Sequence, residues 1–239
     1  MKNLNFKTLV DLKSLSRPRK TLHPNDFQVY ADYSFFQSRL GNCVKLREYM
    51  DVFLNKFNWN NIYETPNLYR LKLLTCMKNY SGIIQIVEEF EAAGNEYIPS
   101  YVANHIVINA YIQNSNYNRA MYYADLGIDK IDDPVYGIAN KAIVLAMQGD
   151  SVSAKNNLNE ILEISKYRYA STALIAAIYT ALGDRETALE YLDQAIDDRD
   201  WRLMDMFEFA PFCEQCDAPW LQDIIKKMWI PIHEEELSQ

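Results

Sequence analysis

Glycine and proline are scarce in this sequence, with 7 and 8 residues among 239. All-β folds need many of these residues at their tight turns, so the scarcity favours helices. No run of eighteen apolar residues occurs, and we therefore expect no membrane span and no membrane partner. An apolar N-terminal stretch of the secretory type is also missing. Together these absences predict a soluble, cytoplasmic protein.

Cysteine is scarce as well, and the four cysteines form no recognisable disulfide framework, which favours a reducing compartment. Cys213 and Cys216 make one CxxC pair. A zinc site needs two more ligands at matching spacing, and only His233 is near. A thioredoxin-like role needs a strand and a helix around the pair. We expect ordinary, partly buried cysteines, with a metal or redox role as the alternative.

Catalytic patterns are missing from the sequence too. The three histidines, His23, His105 and His233, are far apart, and no nucleophile motif surrounds them. No glycine-rich phosphate loop occurs. The sequence therefore predicts a protein that is not an enzyme and holds no cofactor. An enzyme with an unrecognised site remains the third hypothesis for function.

Positive charge is in deficit overall, but not at the start of the chain. The formal net charge is −8 and the pI about 5.0, which argues against nucleic acid as the main partner because phosphates need basic surface. Residues 1–20 hold six lysines and arginines against one aspartate. We predict that residues 1–26 form a basic segment packed loosely on the first repeat. A linker, or an arm that contacts a partner, is the alternative.

What the sequence does contain is a repeated helical pattern, clearest from Tyr169 to Arg202. Good helix formers without glycine or proline run to Leu182. Gly183 then ends the helix in a left-handed conformation. Asp184 caps a second helix by accepting backbone N–H bonds. The stretch therefore predicts a pair of short helices joined by a tight turn.

The same features recur upstream. Gly149-Asp150 precedes Gly183-Asp184 by 34 residues, and Ser115-Asn116 precedes Gly149-Asp150 by the same interval. Small residues follow these turns and large residues precede them at the same period. On these residues the chain resembles the tetratricopeptide (TPR) repeat family, as a divergent bacterial-type array. The matching residues are Tyr111, Tyr117, Ala120, Tyr123, Tyr179, Gly183, Asp184, Ala188, Tyr191 and Ala195.

The resemblance implies an all-α solenoid of about five antiparallel helical hairpins with a C-terminal cap. The closing helix is expected from Pro219 to Met228, because the last repeat of such an array must cover its apolar face. The predicted hairpins are 27–60, 64–97, 101–134, 135–168 and 169–202, and the predicted cap and tail are 203–239.

The resemblance also implies a concave groove lined by the first helix of each hairpin. Asparagine offers a donor and an acceptor, so Asn109 and Asn140 are expected to pair with a peptide backbone. The alternative is that these two side chains only satisfy packing or water. A clamp for C-terminal carboxylates is not expected, since Ala170 and Leu174 stand where that clamp has cations. The predicted groove residues are Tyr69, Lys72, His105, Asn109, Gln113, Tyr136 and Asn140.

The function that follows is a non-enzymatic scaffold or adaptor that binds a peptide or protein segment in this groove. A regulatory or sensory module of a bacterial transcription or signalling system is the second hypothesis. Self-association through a terminal hairpin, with Trp201 or Trp229 in contact, stays open. Most aromatic residues fall at core spacing, and the predicted exceptions on binding surfaces are Tyr122, Tyr136 and Tyr167–Tyr169.

Overall fold

The computed structural model of the protein describes residues 43–56, 64–94, 101–130, 133–215 and 218–229. Eleven α-helices and one 3₁₀ helix fill these ranges, which contain no β-strand. The helices are α1 (Cys43–Lys56), α2 (Glu64–Cys76), α3 (Tyr80–Ala92), α4 (Tyr101–Gln113), α5 (Tyr117–Lys130), α6 (Pro134–Gln148), α7 (Ser151–Ser165), α8 (Thr172–Ala181), α9 (Arg185–Asp197), the 3₁₀ helix (Trp201–Glu208), α10 (Ala210–Cys213) and α11 (Pro219–Trp229).

Helices that follow one another along the chain pack in adjacent pairs: α2 with α3, α4 with α5, α6 with α7 and α8 with α9. The first helices of neighbouring pairs also touch, so that α4 contacts α2 and α6, and α6 contacts α8. The all-α prediction and the pairing of helices are confirmed. The solenoid and the tetratricopeptide relationship stay predictions. Residues 27–42 of the first predicted hairpin, the basic segment 1–26 and the tail beyond Trp229 lie outside the described residues.

The turns inside the four pairs share one geometry. One residue of each turn is left-handed, namely Lys78 (φ 53°), Ser115 (56°), Gly149 (97°) and Gly183 (80°). The N–H of the next residue donates to the carbonyl five residues earlier, as in a Schellman ending. Its side-chain oxygen then accepts from the N–H three residues later and caps the following helix. These capping residues are Asn79, Asn116, Asp150 and Asp184.

Small residues let the paired helices approach closely. A Cβ added to Gly137 of α6 would lie 2.7 Å from the backbone nitrogen of Ile128 in α5. Ala120, Ala154 and Ala188 are 0% exposed where the second helices of three pairs begin. Every residue of α8 from Thr172 to Ile178 is buried, which places this helix at the centre of the packed core.

A disulfide joins Cys43, the first residue of α1, to Cys76, the last residue of α2. The expectation of no disulfide is therefore wrong, and the argument from cysteine usage to a reducing compartment falls with it. The sequence around the two cysteines does not predict that they lie close together, because their proximity depends on how α1 packs on α2. The side chain of Cys213 and all of Cys216 lie outside the described residues.

None of the helices within the described ranges has the length and apolarity needed to span a bilayer.

Candidate functional site

Residues 200–214, here called the strap, lie across one face of the helix pairs. The strap comprises the 3₁₀ helix, α10 and the residues next to them. The 3₁₀ helix contacts α4, α8 and α9, and α10 contacts α4 and α8. The residues of the helices that touch the strap are here called the strap face: Lys72 of α2, His105 and Gln113 of α4, and Ser171 and Ala173 at the start of α8.

The strap begins at a buried carboxylate. Asp200 is 4% exposed, and its Oδ2 accepts hydrogen bonds from the Ser171 hydroxyl and from the backbone N–H of Ala173, the latter at 3.1 Å. Its Oδ1 accepts from the N–H of Arg202 at 3.0 Å. The Ser171 and Ala173 donors belong to the N-terminal turn of α8, where the helix dipole also favours negative charge. Asp200 therefore fixes the start of the strap to α8.

Around Asp200 the polar contacts continue towards α6. Arg202 donates to Oδ2 of Asp133 at 2.6 Å, and Asp133 directly precedes α6. The Arg202 guanidinium also lies 4.8 Å from the ring centroid of Trp201. The pKa of Tyr169 is raised to about 12, mainly by burial and secondly by the nearby Asp200 carboxylate. The entry of the strap is thus tied to the N-terminal ends of both α6 and α8.

In the middle of the strap, Asp205 forms an ion pair with Lys72. The Nζ–Oδ1 distance is 3.9 Å, and the side chains are 1% and 2% exposed. Taking two charges out of water is costly, so removal of one partner from such a pair is strongly destabilising. This contact connects the strap to α2, the most distant helix of the strap face along the chain.

Further along, Phe209 stacks on His105 of α4. The ring centroids are 4.6 Å apart and the planes 19° from parallel. Nδ1 of His105 lies 3.1 Å from the hydroxyl of Tyr136 in α6. At the end of the strap, Nε2 of Gln113 donates to Glu214 at 3.2 Å on the surface. The strap therefore meets α4 at both ends of one helical face.

The structure brings several of the predicted groove residues together, but under the strap and not on an open surface. Gln113 is half-buried, and the other six are less than a tenth exposed. Lys72, His105 and Gln113 contact the strap directly, and Tyr136 contacts it through His105. Binding of an outside partner by these residues stays a prediction. The six buried residues are Tyr69, Lys72, His105, Asn109, Tyr136 and Asn140.

Asn109 and Asn140 are buried and carry side-chain atoms without hydrogen-bond partners among the described residues. Both are 1% exposed. Neither side-chain polar atom of Asn109, nor Nδ2 of Asn140, has a partner within the described part of the chain. The same holds for both polar atoms of Asn104. An unsatisfied buried polar group costs about 1–3 kcal/mol, so these side chains lower the stability of the arrangement in which they are found.

Of the aromatic residues singled out for binding, Tyr136 is fully buried, whereas three others are exposed. Tyr122, Tyr167 and Tyr169 are 45%, 88% and 60% exposed, and Trp201 is 51% exposed. The side chain of Trp229 lies outside the described residues. The exposed rings are consistent with the predicted surface positions, while Tyr136 belongs to the buried contact with His105.

A second polar cluster lies between α3 and α5, away from the strap. Arg119 donates to both oxygens of Glu91 at 2.6 Å, and the Tyr123 hydroxyl donates to Glu91 at 2.6 Å. Tyr111 stacks on Tyr123 with centroids 5.6 Å apart. Burial acts to raise the pKa of Glu91, but the hydrogen bonds from Arg119 and Tyr123 outweigh it and lower that pKa. Each charge has its partner, so the cluster is a structural contact between pairs.

Sequence reasoning missed the roles of Asp200, Asp205 and Phe209, because it assigned Asp200 to the predicted hairpin 169–202 and residues 203–239 to a terminal cap. A signal that could have found them is composition: DWRLMDMFEFAPF holds three acidic and four aromatic residues among thirteen. An acidic segment of this kind is complementary to a face that carries a lysine.

Comparison of the chain with protein-family models, with curated proteins and with solved structures finds no match.

Proposed function

We propose that the protein is a non-enzymatic interaction scaffold whose strap face binds a peptide segment of a partner protein. The observation that supports this is the strap itself, which the face holds by a buried ion pair, a stacked ring pair and hydrogen bonds. A surface that accommodates one segment of the chain in this way has the shape and the polar groups to accommodate another.

The mechanism is recognition by a preformed surface. The helices of the strap face are fixed by their partners in each pair, so little order is lost on binding. Mostly apolar walls with a few polar groups are typical of binding grooves. Asn109 and Asn140 add donors and acceptors that match a peptide backbone. The helices of the strap face need not move to bind the partner's segment. The strap only has to leave this face.

Selection from a random peptide library displayed on phage tests the proposal. The bait is the full chain in three forms: wild type, Asn109→Ala/Asn140→Ala, and Lys141→Ala as the matched control. Lys141 forms an exposed ion pair with Asp125, so its loss leaves the strap face unchanged. We expect wild type and the control to enrich the same peptides and the asparagine variant to lose them.

Equal enrichment by all three forms would mean that Asn109 and Asn140 take no part in peptide binding. If no form enriches any peptide, even when Asp205→Asn/Phe209→Ala loosens the strap, the proposed function is wrong.

A further inference from the structure

We propose that the strap is an internal ligand of the strap face, and that the partner's segment is acidic and aromatic like the strap and displaces it. This inference rests on the proposed function and names the chemistry of the partner and the control of its access.

The strap face supplies donors, and the strap supplies carboxylates. The Nζ of Lys72, the Nε2 of Gln113, and the hydroxyl of Ser171 with the N–H of Ala173 all point to oxygens of strap residues. The carboxylates that receive them are Asp205, Glu214 and Asp200 respectively. The whole chain carries a net charge of −8. The strap face differs from this acidic average, because it presents a lysine and hydrogen-bond donors to the carboxylates of the strap. A segment without a carboxylate at the place of Asp205 would remove the negative charge that lies 3.9 Å from the buried Nζ of Lys72.

The aromatic requirement comes from His105. Its ring is 1% exposed and lies nearly parallel to the ring of Phe209. Stacked rings at this separation are favourable beyond the apolar area that they bury. A displacing segment therefore needs a planar side chain four residues after its central carboxylate, as Phe209 follows Asp205.

The ends of the strap are fixed, and its middle is held through side chains. Its first residue is fixed to α8 through Asp200, and beyond its last residue α11 packs on α9. Between these points the chain is a 3₁₀ helix and a single turn of α-helix, and the 3₁₀ form has poorer hydrogen-bond geometry than the α form. Four apolar residues of this middle part are at most 4% exposed in the hydrophobic core, namely Leu203, Phe209, Ala210 and Phe212. A displacing segment must therefore cover the same apolar surface.

The closed arrangement also leaves polar groups unsatisfied under the strap. His105, Asn109 and Gln113 are spaced by four residues on α4 and so share one face of that helix. The first and third contact the strap, and neither side-chain polar atom of Asn109 between them has a hydrogen-bond partner in the part of the chain that the structure describes. A partner backbone that pairs with Asn109 gains what the strap does not supply. This difference favours exchange of the strap for a better-matched segment.

An internal ligand competes at high effective concentration, of the order of millimolar for a short link. A free peptide of the same sequence therefore binds wild-type protein weakly. Loosening the strap raises the fraction of uncovered molecules, and the apparent affinity rises in proportion. The apparent affinity for such a peptide is therefore the quantity to measure.

Fluorescence anisotropy is measured with a labelled synthetic peptide that has the sequence of residues 200–214 with Cys213→Ser. It is titrated with the full chain as wild type, as Asp205→Asn and as Asp205→Asn/Phe209→Ala. We expect the double variant to bind at least about tenfold more tightly than wild type, with Asp205→Asn between them. Addition of Lys72→Met to the double variant is expected to remove the gain.

Two controls accompany the titration. Asp193→Asn removes an exposed ion pair with Lys227, which lies on α11, and is expected to keep the wild-type affinity. A peptide carrying both strap substitutions is expected not to bind. Circular dichroism establishes that each variant is folded, and Asp205→Asn, which is nearly isosteric, provides the comparison if the double variant is not.

A folded loosened variant that binds the peptide no better than wild type would overturn the internal-ligand inference. If the library selection still yields peptides that depend on Asn109 and Asn140, the proposed function stands with a ligand of other chemistry. A gain in affinity that survives Lys72→Met would overturn the requirement for an acidic segment.

Discussion

Helices α4 and α8 face two kinds of neighbour, and the contacts differ in chemistry. Towards their partners α5 and α9 they meet small buried residues such as Ala120 and Ala188, and the pairs are closed by one repeated turn geometry. Towards the strap they meet the carboxylates of Asp200 and Glu214 and the ring of Phe209.

Contacts between small residues specify one arrangement, because a single added carbon does not fit. Contacts between hydrogen-bond donors and carboxylates specify only which chemical groups must be present. Any segment that presents the same groups can therefore replace the strap. The pair interfaces therefore determine the fold, and the strap face is the part of the molecule suited to exchange.

The largest expected effect tests whether the contacts of the strap and the contacts between paired helices are independent of each other. Lys72→Met removes the cation beside the buried Asp205 carboxylate, and the loss of one partner from a buried pair costs about 3–5 kcal/mol. We expect this cost to appear as release of the strap. Hydrogen exchange followed by mass spectrometry should show faster exchange in residues 201–213 and unchanged exchange in α5. Lys141→Met, at an exposed pair, is the control. Equal acceleration in α5 would mean that the strap is part of the cooperative core.

The next effect belongs to the pair interface. In Gly137→Ala the new carbon lies 2.7 Å from the Ile128 nitrogen and 2.8 Å from its Cα, so α5 and α6 must separate. Overpacking of this kind costs about 1–3 kcal/mol. Urea denaturation should show a lower midpoint for the whole molecule, with no selective release of the strap. A midpoint equal to that of wild type would contradict the close packing.

A smaller effect of opposite sign is expected at Asn109. Asn109→Leu has a similar volume and removes two buried polar atoms for which the described ranges offer no partner. We expect unfolding to require about 1 kcal/mol more free energy, together with loss of the peptides enriched by wild type. Thermal denaturation measures the first and the phage selection the second. A destabilised variant would mean that the amide is satisfied in solution.

The smallest effect concerns pH and the cluster around Glu91. The pKa of Glu91 is lowered from the model-compound value of 4.5 in the folded protein. Its stabilising contribution is therefore present above that value and is lost as the pH falls through the lower folded pKa. We expect the urea midpoints of wild type and Glu91→Gln to differ at pH 7 and to converge as the pH is lowered below 4.5 and through the folded pKa of Glu91. Glu163→Gln, at an exposed pair with Lys166, should show no such convergence.

The helix pairs were predictable from sequence because their signals are local. Gly183 and Asp184 fix a turn and a cap by their own conformational and hydrogen-bonding properties, and the same chemistry works with Ser115 and Asn116. Helix α5, Tyr117–Lys130, lies within the predicted hairpin 101–134.

The site was only partly predictable. Helical spacing placed His105, Asn109 and Gln113 on one face of α4, but nothing local connects Lys72 to Asp205. That ion pair joins residues far apart in the chain and exists only once the pairs have assembled. The disulfide between Cys43 and Cys76 was missed for the same reason.

The disulfide also determines how the molecule would carry a mechanical load. It joins the first residue of α1 to the last residue of α2. Tension applied to the chain ahead of Cys43 therefore crosses through the sulfur atoms to Cys76 and bypasses everything between them. While the bond holds, α1 and α2 bear none of that force, and the first element to feel it is the turn that leads into α3.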